Sequence, residues 1–160
     1  AYTPAVGESY RGGIVAYVLQ SGDPGYEAST PHGIIAATVD QSTSTGWAST
    51  NATLTQLNNG TALGTGLANT NRIIAADAIN NAAVSATAYN GGGYTDWYLP
   101  SQEEIRKLYG IRSIINFSGF YWTSSEAISS SPLTHAVYVR TDAINSNYDI
   151  GKKYSTSTYY

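Results

Sequence analysis

Residues able to do covalent or metal chemistry are few in this chain, and they are scattered. It has no cysteine, which removes thiol nucleophiles, disulfides and thiolate metal sites. Its two histidines, His32 and His135, lie far apart with no paired carboxylate motif beside either, so the ligand spacing of a zinc site is missing. Asp142, Asn145, Asn147 and Asp149 make one oxygen-rich stretch of the kind that can surround calcium. No serine sits in a Gly-x-Ser-x-Gly elbow. Gly64-Thr65-Gly66 is not followed by Lys-Ser or Lys-Thr, so a phosphate cradle is not expected there. The carboxylate pair Glu103-Glu104 follows Ser101, and a helix start explains it. We expect no catalytic residue, no metal ligand set and no cofactor.

What remains is surface chemistry. From Glu126 to Tyr160 the chain is dense in Ser, Thr, Asn, Asp and Tyr. Tyrosine gives rigid, amphipathic contact area at low entropic cost, and Ser and Asn give adaptable hydrogen bonds. Tyrosine rings can also stack on the apolar faces of sugars. The expected contact residues are Tyr138, Arg140, Asn145, Asn147, Tyr148, Asp149, Tyr154 and Tyr159. The competing reading is an ordinary solvated strand region in an Asn/Ser/Thr-rich exported protein. Trp97, Leu99, Tyr121 and Trp122 are expected to support core and loops.

Composition narrows the setting. The chain has 160 residues, enough for one domain with a real core; residues 1–160 are read as that domain, with 1–11 as an N-terminal segment or linker. Charged residues make up only 12%, about half the usual share. A net charge of −3 and eight Lys plus Arg leave no electrostatic footprint for nucleic acid. No apolar run is long enough to span a membrane. The absence of methionine suggests a processed product or a piece of a longer polypeptide. The expected location is extracellular, on a cell or virion surface. Sequons at Asn51, Asn59 and Asn116 read as chance products of an Asn-rich chain.

The elements follow from periodicity and punctuation. Gly13 to Leu19 is apolar, β-branched and aromatic, as a buried strand is. Ile34 to Val39 predicts a second strand. Gln41 to Gly66 is a polar wrap tethered by Trp47, Leu54, Leu57 and Leu63. Asn69 to Tyr89 predicts one long helix with a small-residue stripe. Gly91 to Gly93 end it. Ser101 with Glu104 is a capping box, and Ile105, Leu108 and Tyr109 give the following helix an apolar face. Ile111 to Phe120 supplies further core. Tyr121 to Ser125 and His135 to Arg140 predict strands, the latter with Val137 and Val139 on one face and Ala136, Tyr138 and Arg140 on the other. Asn145 to Gly151 reads as turn or loop, and Tyr154 to Tyr160 is compatible with a strand. The order predicts an α+β fold with a mainly antiparallel sheet.

One run of motifs carries a resemblance. Gly91-Gly92-Gly93-Tyr94-Thr95-Asp96-Trp97-Tyr98-Leu99-Pro100-Ser101 before an acidic helix, then Tyr121-Trp122-Thr123-Ser124-Ser125-Glu126, resembles a bacterial and phage family of C-type-lectin-like domains. Gly12 to Val18, His32 to Ala37 and Gly64-Thr65-Gly66 ahead of Asn69 resemble its earlier blocks, so the similarity covers roughly Gly12 to Tyr160. The family includes C-terminal domains of collagen-like adhesins and, more distantly, the variable proteins of diversity-generating retroelements. The resemblance implies two helices flanking a central irregular sheet. It also implies a non-enzymatic domain that binds a glycan or a cell-surface protein receptor. The Glu-Pro-Asn and Gln-Pro-Asp motifs of calcium-dependent lectins are missing, which weakens calcium-mediated sugar binding. Enzymes of the wider fold depend on cysteine or copper, and this chain has no cysteine. In diversified relatives, codon changes enrich Tyr, Ser, Asp, Ile, Thr and His. The C-terminal third carries such residues, with the asparagines they would derive from, at Ile128, Ser130, His135, Tyr138, Asn145, Asn147, Tyr148, Asp149, Tyr154 and Ser157. Family members usually continue with a Val-Arg-rich strand after the equivalent of Tyr159-Tyr160. An edge left without it would favour pairing with a neighbouring chain. The alternative expectation is therefore a homo-oligomer, a filament or fimbrial subunit, or a phage fibre or capsid decoration.

Overall fold

The apolar run after Gly12 forms the middle strand of a small sheet. The computed structural model describes residues 2–49, 56–127, 132–141 and 148–153. In it β1 (Ser9–Tyr10), β2 (Gly13–Val18) and β3 (Gly33–Ala36) pair antiparallel in that order. Arg11 and Gly12 form the two-residue loop between β1 and β2, and both have positive φ, 49° and 84°, as the favoured hairpin turns require. A second antiparallel sheet holds β4 (Phe120–Glu126), β5 (His135–Arg140) and β6 (Tyr148–Lys152). Three α-helices are found among the described residues: α1 (Gly66–Ala76), α2 (Ala82–Thr87) and α3 (Gln102–Gly110). The chain is thus α+β.

The single helix expected over Asn69 to Tyr89 is broken, and local polar bonds explain the break. Asp77 ends α1 in extended geometry, and its carboxylate accepts from the Ser49 N–H at 2.7 Å and the Ser49 hydroxyl at 2.8 Å. Asn81 then caps α2: its side-chain oxygen accepts from Val84 N–H at 3.0 Å while its amide donates to the Asp77 carbonyl at 2.6 Å. Asp and Asn compete with the helix for backbone groups in this way. A second expectation also changes. Tyr148 to Gly151, the latter part of the stretch read as turn or loop, belongs to strand β6, because β5 supplies a pairing partner and context overrides local turn chemistry.

The second sheet lies between two cores. Tyr121 and Val139 face one, with Ile14, Ala16 and Ala36 from the first sheet and Ile105, Ile111, Ile115 and Phe117 from α3 and the turns after it. Trp122, Ala136 and Tyr138 face the other, with Trp47, Ile73, Ala83 and Leu99. Burying Ile73 and Ile105 contributes roughly 1.5–3 kcal/mol each. β5 is therefore packed on both faces rather than one.

Buried polar groups fix the connections. Glu104 completes the expected capping box, its Oε2 accepting from Ser101 N–H at 2.7 Å. Its Oε1 also accepts from Gly64 N–H at 3.0 Å and Gly66 N–H at 3.4 Å, so one carboxylate caps two helices. A side chain at Gly66 would collide with that carboxylate and with the Tyr98 ring. The 3₁₀ turn Gly91–Gly93 lies against the β1–β2 loop: a Cβ on Gly92 would lie 2.7 Å from Gly12 Cα and 2.8 Å from the Arg11 carbonyl oxygen. Gly92 also has φ 66°. Gly92→Ala is therefore expected to cost at least about 1–3 kcal/mol. Gly110→Ala, in helical geometry with open space at its Cβ, should gain about 0.4–1 kcal/mol. Urea denaturation of both variants checks the pair of signs.

Candidate functional site: an aromatic-rimmed groove

The close approach of Gly12 to Gly92 brings together tyrosines that are distant in sequence. Tyr10 precedes the β1–β2 loop and Tyr94 follows the glycine turn; both residues are 37% exposed. The Arg11 guanidinium sits 5.3 Å from the Tyr10 ring centre and 5.6 Å from that of Tyr94, within cation–π range. Next to them the Tyr89 and Trp97 rings meet edge to face at 4.9 Å. Trp97 is oriented by its indole N–H, which donates to the Gly91 carbonyl at 3.3 Å, and by Gly13, whose missing side chain leaves room for the indole. These rings rim a groove of about 620 Å³, walled by β3, the 37–42 segment, α2 and the 94–100 segment. Its floor includes Ala82, Leu99, Ile105, Tyr121 and Trp122. The size falls within the range of ligand pockets, and so does the mixture of apolar walls with a few polar groups.

The polar groups include Asp40, Asp96, Arg11, His32, Ser85 and the Tyr98 phenol. Asp40 accepts from the Tyr121 hydroxyl at 3.0 Å. His32 is exposed and lies 3.5 Å from Glu27. Asp96 is exposed on the groove wall. Such a lining can stack the flat apolar face of a ring and accept or donate hydrogen bonds around its edge.

Of the residues expected to make contact, Tyr138, Arg140, Tyr148 and Asp149 are described, and they sit on the paired strands β5 and β6. Tyr138 is a correction in position: only 8% exposed, it packs against Trp122 at 5.9 Å, edge to face, and against Phe120. The reason is that β5 is a central strand with both faces covered. Arg140 is half-buried with its guanidinium 5.5 Å from the Phe120 ring. Asp149 is exposed on β6, opposite Tyr138. Tyr148 lies on β6 opposite Val139. Asn145, Asn147, Tyr154 and Tyr159 lie outside the described residues, as do Asp142, Asn51, Leu54, Ile128, Ser130 and Ser157. Among the described residues no three His, Asp or Glu side chains converge as a metal site. The supports behave as expected: Leu99, Tyr121 and Trp122 are buried, and Trp97 is half-buried at the groove. The sequon Asn59 is buried, bonding the Asn69 and Ser124 carbonyls at 3.2 and 3.0 Å.

Sequence reasoning missed Tyr10, Arg11, Asp40, Tyr89 and Tyr94 as a group. A usable signal was present. Arg-Gly between strand residues marks a tight hairpin, and the triple glycine marks a place where backbone can approach backbone. No protein-family profile matches the chain, and no curated protein is significantly similar to it. No helix among the described residues is long and apolar enough to cross a membrane.

Tyr98 links the groove wall to the helix-capping carboxylate. Its hydroxyl lies 3.5 Å from Glu104 Oε1. Burial first, then the Glu104 charge and hydrogen bond, push the phenol well above its ordinary value of 10.0. The folded protein therefore holds a proton that the unfolded chain releases. That contribution to stability is complete below pH 10.0 and is lost as pH rises further. Stability above pH 10.0 should thus fall more steeply for wild type than for Tyr98→Phe. Equal slopes in denaturant titrations across that range would rule the linkage out.

Proposed function

We propose that this chain is a C-type-lectin-like recognition domain that binds a glycan or surface receptor without transforming it, using the groove rimmed by Tyr10, Tyr89, Tyr94 and Trp97. The observation that carries the reading is the set of four aromatic rings, Tyr10 and Tyr94 exposed and Tyr89 and Trp97 half-buried, around a concave, mostly apolar surface. Pyranose C–H faces are apolar and slightly positive, and aromatic faces carry negative quadrupole density, so the two stack. The carboxylates at the groove are suited to accept sugar hydroxyls. Meanwhile the buried Glu104 and Glu126 are engaged with backbone N–H groups and, for Glu126, a lysine. The α+β order and the structural roles of the resembling motifs also fit: Gly66 abuts Glu104, Ser101 caps α3, and Trp122 to Glu126 anchors the second sheet. On this reading the domain works outside the cell, on a cell or virion surface.

One observation favours a second reading, a structural subunit that assembles through an edge strand. β3 and β4 are edge strands of their sheets, and both line the same groove, so an extended segment of a second copy could be received there. Light scattering across a concentration series separates the two: a concentration-independent monomer excludes assembly.

On a glycan array, Tyr94→Ala should lose roughly tenfold or more in affinity, about what one aromatic contact supplies. Asp149→Ala should bind as wild type does. The opposite pattern would move the contact to the C-terminal strands.

A further inference from the structure

Arg11 is a bulky residue in a backbone conformation that favours glycine. Its φ of 49° lies in the left-handed region, which only a few per cent of non-glycine residues occupy and which clusters at functional sites. Its neighbour in the loop is already glycine, and the loop cannot relax outward freely because Gly92 lies against it. From this loop the guanidinium reaches the groove, 5.3 Å from the Tyr10 ring centre and 5.6 Å from that of Tyr94. It is the one Lys or Arg among the described lining residues. Its contacts there are with those two rings; no described carboxylate lies within ion-pair distance. Arg11 is exposed, and a planar guanidinium offers N–H donors in a geometry that matches a carboxylate bidentately.

We infer that Arg11 sets the specificity of the groove by taking the carboxylate of an acidic saccharide whose ring stacks on the neighbouring aromatic faces. This rests on the recognition reading above and adds the ligand class. The other charges narrow it. Asp40 and Asp96 line the same groove, so a polyanion would meet like charge. A ligand with one anionic group and many hydroxyls meets Arg11 with the first and the two carboxylates with the second.

The test is calorimetry of the wild-type chain with sialyllactose, lactose and 3′-sulfolactose, and of Arg11→Gly with the same three. Glycine suits the positive φ, so Arg11→Gly removes the guanidinium while its thermal midpoint stays level or rises. The expected result is at least tenfold tighter binding of sialyllactose than of lactose by wild type. That preference should weaken with added salt and vanish in Arg11→Gly. Equal or tighter binding of 3′-sulfolactose overturns the carboxylate assignment. Equal binding of sialyllactose and lactose, unchanged in Arg11→Gly, overturns the role of Arg11 and leaves the groove reading standing. Binding of none of the three by wild type overturns the acidic-saccharide assignment, and failure of Tyr94→Ala to alter any array signal is what sinks the groove itself.

Discussion

A single buried carboxylate holds three separated parts of this chain together. Glu126, 3% exposed at the end of β4, accepts from Leu57 N–H at 2.9 and 3.0 Å and from Asn59 N–H at 3.1 Å, and pairs with Lys153 Nζ at 2.5 Å. Lys153 is fully buried. Its ammonium lies 4.3 Å from the Trp47 ring, its N–H donates to the Thr134 carbonyl, and its carbonyl accepts from Ala48 N–H at 2.8 Å. The polar wrap, the second sheet and the chain beyond β6 thus meet at one charge pair. Burial lowers the Lys153 pKa, and Glu126 partly restores it by hydrogen bond and charge. Such a pair adds little net stability over a well-packed apolar substitute, but breaking it leaves a buried charge unpaired.

The strand that carries Glu126 is irregular for the same reason. Trp122 pairs with Tyr138 and Glu126 with Ala136, so β4 uses four residues where β5 uses two. The extra residues bulge out of the ladder. Thr123 returns its hydroxyl to the Val137 carbonyl at 2.9 Å, Ser124 N–H donates to the Pro100 carbonyl at 2.8 Å, and the Ser125 hydroxyl donates to the Gly60 carbonyl at 2.8 Å. Trp47 and Trp122 send their indole N–H groups to the carbonyls of Thr123 and Thr45 at 2.8 and 3.0 Å. A buried bulge rich in hydroxyls is how loops with little regular structure become a fixed wall for the groove.

Local chemistry was the legible part of the sequence. Ser101 with Glu104 announced the start of α3, and the apolar runs announced β2, β4 and β5, because caps and periodicity act over a few residues. Two features needed distant partners. The break at Asp77 depends on Ser49, and β6 depends on β5. The tyrosine-rich C-terminal third drew attention as a contact surface, yet Tyr138 is core, since tyrosine serves both burial and contact. The rim was hidden because Tyr10 and Tyr94 are neighbours only through the glycine-to-glycine approach at Gly12 and Gly92.

The central claim is that the Glu126–Lys153 pair fastens the wrap and the last strand to the scaffold, and a double-mutant cycle tests it most directly. Glu126→Gln and Lys153→Met, singly and together, are unfolded in urea. The account predicts that each single variant loses about 3–5 kcal/mol and that the double variant loses far less than the sum. Single variants within about 0.5 kcal/mol of wild type, or strictly additive losses, would contradict it.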